Sequence, residues 1–152
     1  MFKAFGDARI AAGETCLVVD LGACTGMDST FMGTLAGIAA RLATLPGGSL
    51  QIADSGDRNR RSLEDLGLDF LMEIDPPATA WRTMIETIRN SLQPPPAPGS
   101  LGQIQRARHV LEAHQTLTGI NAQNAHKFDA VVTLLENELA VKDPLPKSEH
   151  QE

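Results

Sequence analysis

The chain has 152 residues, 42% hydrophobic, 21% charged and only 4% aromatic, which suits one domain with an aliphatic core plus an appendage. Its formal net charge of −6 comes without any stripe of arginine or lysine, which argues against nucleic acid as the main partner. The opening residues hold no apolar signal-peptide core, and no apolar run approaches membrane-spanning length, so the expected location is the cytoplasm with no membrane span.

In chain order, MFKAFGDARIAAG (1–13) reads as a helix feeding directly into a first strand. TCLVVDL (15–21) is a continuous apolar run ending in an acid, the pattern of a buried, parallel strand. Cys16 near its start and Cys24 in the loop beyond it form no CxxC pair and read as buried or idle thiols in a reducing cytoplasm. After the GACTG loop (22–26), Phe31, Leu35, Ile38, Leu42 and Leu45 step by three and four and define one apolar helical stripe. Gly33, Gly37 and Ala40 make a second stripe of small residues, where another backbone can approach. Asp28 or Ser29 is the natural N-cap, and LPGG (45–48) ends the helix.

SLQIADS (49–55) is a second strand, DRNRRSLEDLGL (57–68) a short helix stopped at Gly67, and FLMEI (70–74) a third strand. Beyond DPP, residues 78–92 return to the helical period through Trp81, Met84, Ile85, Ile88 and Leu92. QPPPAPGS (93–100) is an extended spacer, and two helices at about 101–118 and 124–140 form a hairpin around Gly119 with Asn121 or Asn124 as cap. Residues 141–152 are polar and expected to be disordered. The expected fold is α/β: a sheet of parallel or mixed strands with helical cover over 1–92, then the 93–100 linker and a 101–140 helical hairpin.

The side chains assemble no catalytic set: no nucleophile has a visible base, there is no GxxxxGK[ST] loop, and no paired-carboxylate site stands out. The chain therefore reads as a binding protein without a cofactor. His109, His114 and His126 lack the spacing of a metal site. Arg58, Arg60 and Arg61 are interleaved with Asp57, Glu64 and Asp65 and read as a solvated helix face. Asp20 lacks the acidic pair and late lysine of a receiver domain, so its expected role is to anchor the following loop.

The ordered set Asp20-Leu21, Asp28-Ser29-Thr30, Gly33, Gly47-Gly48 and Leu63 through Leu68 resembles the STAS domain of bacterial anti-anti-sigma factors, over roughly residues 1–75. That resemblance implies a phosphorylation switch. In such proteins the serine of an Asp-Ser-Ser motif is phosphorylated by a serine kinase that is also an anti-sigma factor, and a phosphatase resets it. The acceptor here is Ser29, with Asp28, Ser29, Thr30, Phe31 and Gly33 as the implied partner-binding residues. The family's second serine is Thr30 here and its following glycine is Phe31. The two strands that the family places ahead of the first helix are missing, as expected of a shortened variant or of a start placed too late. Two other readings stand beside this one. One is an unphosphorylated scaffold subunit of a signalling or transport assembly, docked through the spacer and hairpin. The other is a small-molecule sensor using the strand-end crevice.

Overall fold

A computed structural model describes residues 1–95, 97, 99 and 101–143. By contact the chain divides into two compact units, residues 1–27 with 38–100, and residues 28–37 with the chain from Leu101 onward. The sequence placed 28–37 with everything before the linker. Contact places it with the hairpin.

The first unit holds a three-stranded parallel sheet in the order β1-β2-β3, with β1 at Cys16–Asp20, β2 at Ser49–Ala53 and β3 at Glu73–Ile74. Cys16 lies beside Ser49 and Asp20 beside Ala53, while Ile52 lies beside Ile74. Parallel strands need crossovers, and these are helices: α2 (Ser29–Ala43) between β1 and β2, and α3 (Gly56–Asp65) between β2 and β3. Leu42, Leu50, Ile52, Leu63 and Leu68 are fully buried. The first helix, α1 (Phe2–Ala11), brings Gly6 against Ile38, where an added Cβ would meet Ile38 Cδ1 at 2.7 Å. Asp7 on α1 accepts from both Lys3 and Arg41.

Three expectations need correcting here. The run 15–21 was expected to be buried, but β1 is an edge strand whose Cys16, Val18 and Asp20 are exposed. An apolar run describes a strand covered on both faces, and this one has cover on one. The third strand is only two residues long, because Leu68–Phe70 forms a 3₁₀ turn directly after the left-handed Gly67 (φ 69°). Leu68 fills the core there, which leaves Phe70 89% exposed. The helix expected over 78–92 is split into a 3₁₀ turn at Ala80–Thr83 and α4 at Ile85–Ser91. Trp81 donates its indole N–H to Gln51 Oε1 (2.6 Å) and Arg82 Nε donates to the Pro76 carbonyl (2.8 Å), which fixes the tighter turn. Met84, Ile88 and Leu92 are exposed, so the helical period read through them does not make a buried face.

In the second unit, the first turns of α2 accompany a hairpin of α5 (Gln103–Thr118) and α6 (Ala122–Lys142). Asn121 caps α6, its Oδ1 accepting from the Asn124 amide at 2.8 Å. Ala113, Leu117 and Phe128 are buried. Along α6, Val132, Leu135 and Leu139 are half-buried and Val131 is exposed, so its apolar face is covered only in part. Because α6 runs through Lys142, two residues of the expected disordered tail are helical. The rest of that expectation, 144–152, falls outside the described residues, as do linker residues 96, 98 and 100. Residues 93–95, 97 and 99 are neither helix nor strand. Among the described residues no helix is long and apolar enough to cross a membrane.

The turn before β2 offers a sharp check. Gly47 is left-handed (φ 67°) with open space around it, whereas a Cβ on Gly48 would lie 1.8 Å from the Leu42 carbonyl oxygen. Gly47→Ala should cost about 1 kcal/mol, the left-handed penalty. Gly48→Ala should cost about 3 kcal/mol or more, because a backbone atom must move. Urea unfolding of the two variants measures the difference, and equal costs would disprove this turn geometry.

Candidate functional site

The carboxyl ends of the three strands carry Asp20, Asp54 and Asp75. Asp54 (φ 49°) and Asp75 (φ 51°) sit in the left-handed region that aspartate tolerates better than most residues. Asp20 Oδ1 accepts the Gly22 amide at 2.9 Å, closing the start of the 21–28 loop. Arg89 on α4 then grips the same carboxylate through two nitrogens, Nε to Oδ2 and Nη2 to Oδ1, both at 2.7 Å. It also donates to Asp54 Oδ2 and Glu86 Oε1, each at 2.6 Å. The Arg89 hydrogen bonds hold the Asp20 carboxyl below the usual carboxylate range, and the same contacts raise the guanidinium still further. Burial pushes the Asp75 carboxyl up, but hydrogen bonds from the Ser55 hydroxyl and amide, together with Arg60, outweigh it and hold Asp75 low.

These groups border an open crevice of 710 Å³ lined by Gly22, Ala23, Asp54, Gly56, Asp75, Arg82 and Arg89. Its position at a parallel sheet's carboxyl edge is where ligands bind in open α/β sheets. Its charges, however, are already matched within the chain, acid to arginine. Among the described residues no group of three histidine, cysteine or acidic side chains could hold a metal. The Asn59 amide donates to the Cys24 carbonyl at 2.8 Å and pins the middle of the loop.

The remaining sequence-predicted residues belong to the second unit. Asp28 Oδ1 accepts the Phe31 amide at 2.7 Å, so Asp28 is the N-cap of α2 and Ser29 its first residue. That leaves the Ser29 hydroxyl for another partner, 2.9 Å away: Nε2 of His114 on α5. His114 is buried, and its Nδ1 lies 2.8 Å from the Val110 carbonyl oxygen. A carbonyl only accepts, so Nδ1 carries the hydrogen, and in the neutral ring Nε2 accepts from Ser29. Phe128 of α6 meets the imidazole edge-on, with ring centroids 5.3 Å apart. One turn along α2, a Cβ on Gly33 would fall 2.2 Å from the Ala113 carbonyl oxygen, so only glycine permits this approach of α5. Thr34 hydrogen-bonds back to the Thr30 carbonyl (2.8 Å) and faces His109 Nε2 at 3.4 Å. Thr30 and Phe31 are half-buried and Asp28 is exposed.

The expectation that no nucleophile has a base beside it is therefore corrected. Ser29 and His114, 85 positions apart, form a hydroxyl–imidazole pair oriented by a backbone carbonyl. His114 was the residue the sequence did not single out for this role. The 85-position separation left no spacing signal, and its neighbour Ala113 was a clue only once Gly33 had a partner. No family model, curated protein or solved structure matches the chain.

Two measurements test these arrangements. Asp20 is lowered in the folded state, so its stabilisation is full above the unfolded value of about 3.9 and is lost as pH falls through the lower folded value. The urea midpoint should therefore drop below about pH 4, and Arg89→Met should make that drop shallower. An identical acid limb in both proteins would remove Arg89 as the cause. Separately, Asp28→Ala should cost about 1 kcal/mol of stability through the lost cap. A neutral result in thermal unfolding would mean that Ser29 takes over the cap.

Proposed function

We propose that the chain is a cytoplasmic regulatory binding module of STAS type, an anti-sigma factor antagonist and not an enzyme. It acts by reversible docking to a serine kinase that doubles as an anti-sigma factor. Phosphorylation of Ser29 by that kinase ends the docking, and a phosphatase restores it. One observation carries this reading: Asp28 takes the cap of α2, so the Ser29 hydroxyl is not consumed in holding the helix start. A phosphate on Ser29 would gain from the positive end of a 15-residue helix while standing beside the Asp28 carboxylate. It would change the charge of a docking surface without unfolding the sheet. Asp28, Thr30 and Phe31 are the neighbours a partner would meet, while Gly33, the other residue the resemblance implies, lies under Ala113 of α5.

A second reading rests on a different feature of the same residue. The Ser29 hydroxyl already hydrogen-bonds to buried His114. This favours a scaffold subunit of a signalling or transport assembly in which Ser29 is never modified.

Intact-mass spectrometry of the protein from its native host, beside a Ser29→Ala version, separates the two. The switch requires a phosphate-sized mass addition that vanishes in Ser29→Ala. A single unmodified mass through growth and stress leaves the scaffold reading.

A further inference from the structure

We infer that the α5–α6 hairpin is a built-in cover of the Ser29 site, and that modification of Ser29 and docking of the hairpin exclude one another. This rests on Ser29 as the switch residue, and it assigns that switch a target inside the chain.

The reason is hydrogen-bond chemistry in a tight seam. His114 Nε2 is a buried acceptor, because Nδ1 gives its hydrogen to Val110. Its partner is the Ser29 O–H. A phosphoserine has no such O–H and offers acceptor oxygens and negative charge in its place. Acceptor would then face acceptor at a histidine that is itself buried, a costly arrangement for a polar pair. Bulk adds to this. The gap between Oγ and Nε2 is 2.9 Å, already hydrogen-bond contact, with no room for a phosphoryl group. Proton uptake by the ring would cure the acceptor clash but not the bulk. Gly33 and Ala113 are in backbone contact one turn along, so α5 cannot yield locally without losing that approach too. Phe128 links α6 to the same imidazole, so the two hairpin helices share the disturbance.

The uncovered surface would be the first two turns of α2: Ser29, Gly33 and, beyond them, Gly37. Gly37 has more space, since its added Cβ would be 3.9 Å from Thr116 Oγ1. Such a surface fits a helix with a small residue at the crossing point, which is what α5 supplies with Ala113. In the unmodified chain a partner helix of that kind would compete with α5 for it, and a phosphate on Ser29 would stand in the way of either helix.

The test uses the full chain with phosphoserine placed at position 29 by genetic-code expansion, followed by amide hydrogen exchange read by mass spectrometry. The expected result is exchange at least tenfold faster across 103–118 than in the unmodified chain, with the β2 amides at 49–53 unchanged. Should the phosphoserine chain not fold, Ser29→Glu sets a smaller anion at the same place and should give the same localised rise. Protection of 103–118 equal to that of the unmodified chain, in whichever of these folds, overturns the inference. Because the phosphate is installed synthetically, this outcome is independent of whether the native host phosphorylates Ser29.

Discussion

Parallel pairing of three strands delivers all three carboxyl ends to one edge of the sheet, and the first unit is organised around what happens there. Each strand end carries an aspartate: Asp20, Asp54 and Asp75. Carboxylates gathered at one edge repel unless cations lie among them, and here those cations are arginines from elements that follow the strands. Arg60 of α3 serves Asp75, while Arg89 of α4 bridges Asp20 and Asp54. This gives a physical reason for α4. Seven residues with none buried would not hold a helix in water, where helices shorter than about 12 residues are marginal. Arg89 ties that helix to two strand ends, and Trp81 ties the turn before it to Gln51 of β2. Helix and acidic edge therefore stabilise each other.

A second constraint is that one helix start cannot use the same oxygen twice. At the N-terminus of α2, Asp28 and Ser29 are both capable caps. The structure divides the work: Asp28 satisfies the Phe31 amide, and Ser29 satisfies a histidine on another helix. A carboxylate at 29 has no hydrogen to give Nε2, and an alanine has no polar atom to offer it. Position 29 therefore calls for a small hydroxyl on structural grounds alone.

Much of this was legible in the sequence, and what was not has identifiable physics. Periodicity located α2, α5 and α6 to within two or three residues, because Leu35, Ile38 and Leu42 do face the interior, and Asn121 was among the caps foreseen for α6. Gly67 stopped α3 as its left-handed geometry requires. The misses came where tertiary contacts override local pattern. The apolar run of β1 could not report that its strand lies at an edge. The helical period from Trp81 to Leu92 could not report the side-chain bonds of Trp81 and Arg82 that tighten its first turn. At the candidate site, residues 28–33 were singled out through an ordered resemblance, but His114 was not. Its partner lies across the proline-rich spacer, and no local rule connects positions 85 apart. Gly33 was read as room for a backbone, and that room is taken by Ala113.

The two readings of Ser29 make different demands on its neighbours, and this is where they part. Both want a serine at 29, so the identity of that residue decides nothing. A purely structural serine needs His114 only as a fixed acceptor, and any polar group able to accept an O–H there would serve. A switch needs more: the acceptor must be buried, so that water cannot compensate when the donor is lost, and it must belong to an element able to move as a body. His114 meets the first condition by its burial and by spending its other nitrogen on Val110. The second condition would draw on its place in a two-helix hairpin that meets α2 at the close Gly33–Ala113 approach. A contact built on a buried acceptor and a close backbone approach is disturbed most when its one proton donor is removed.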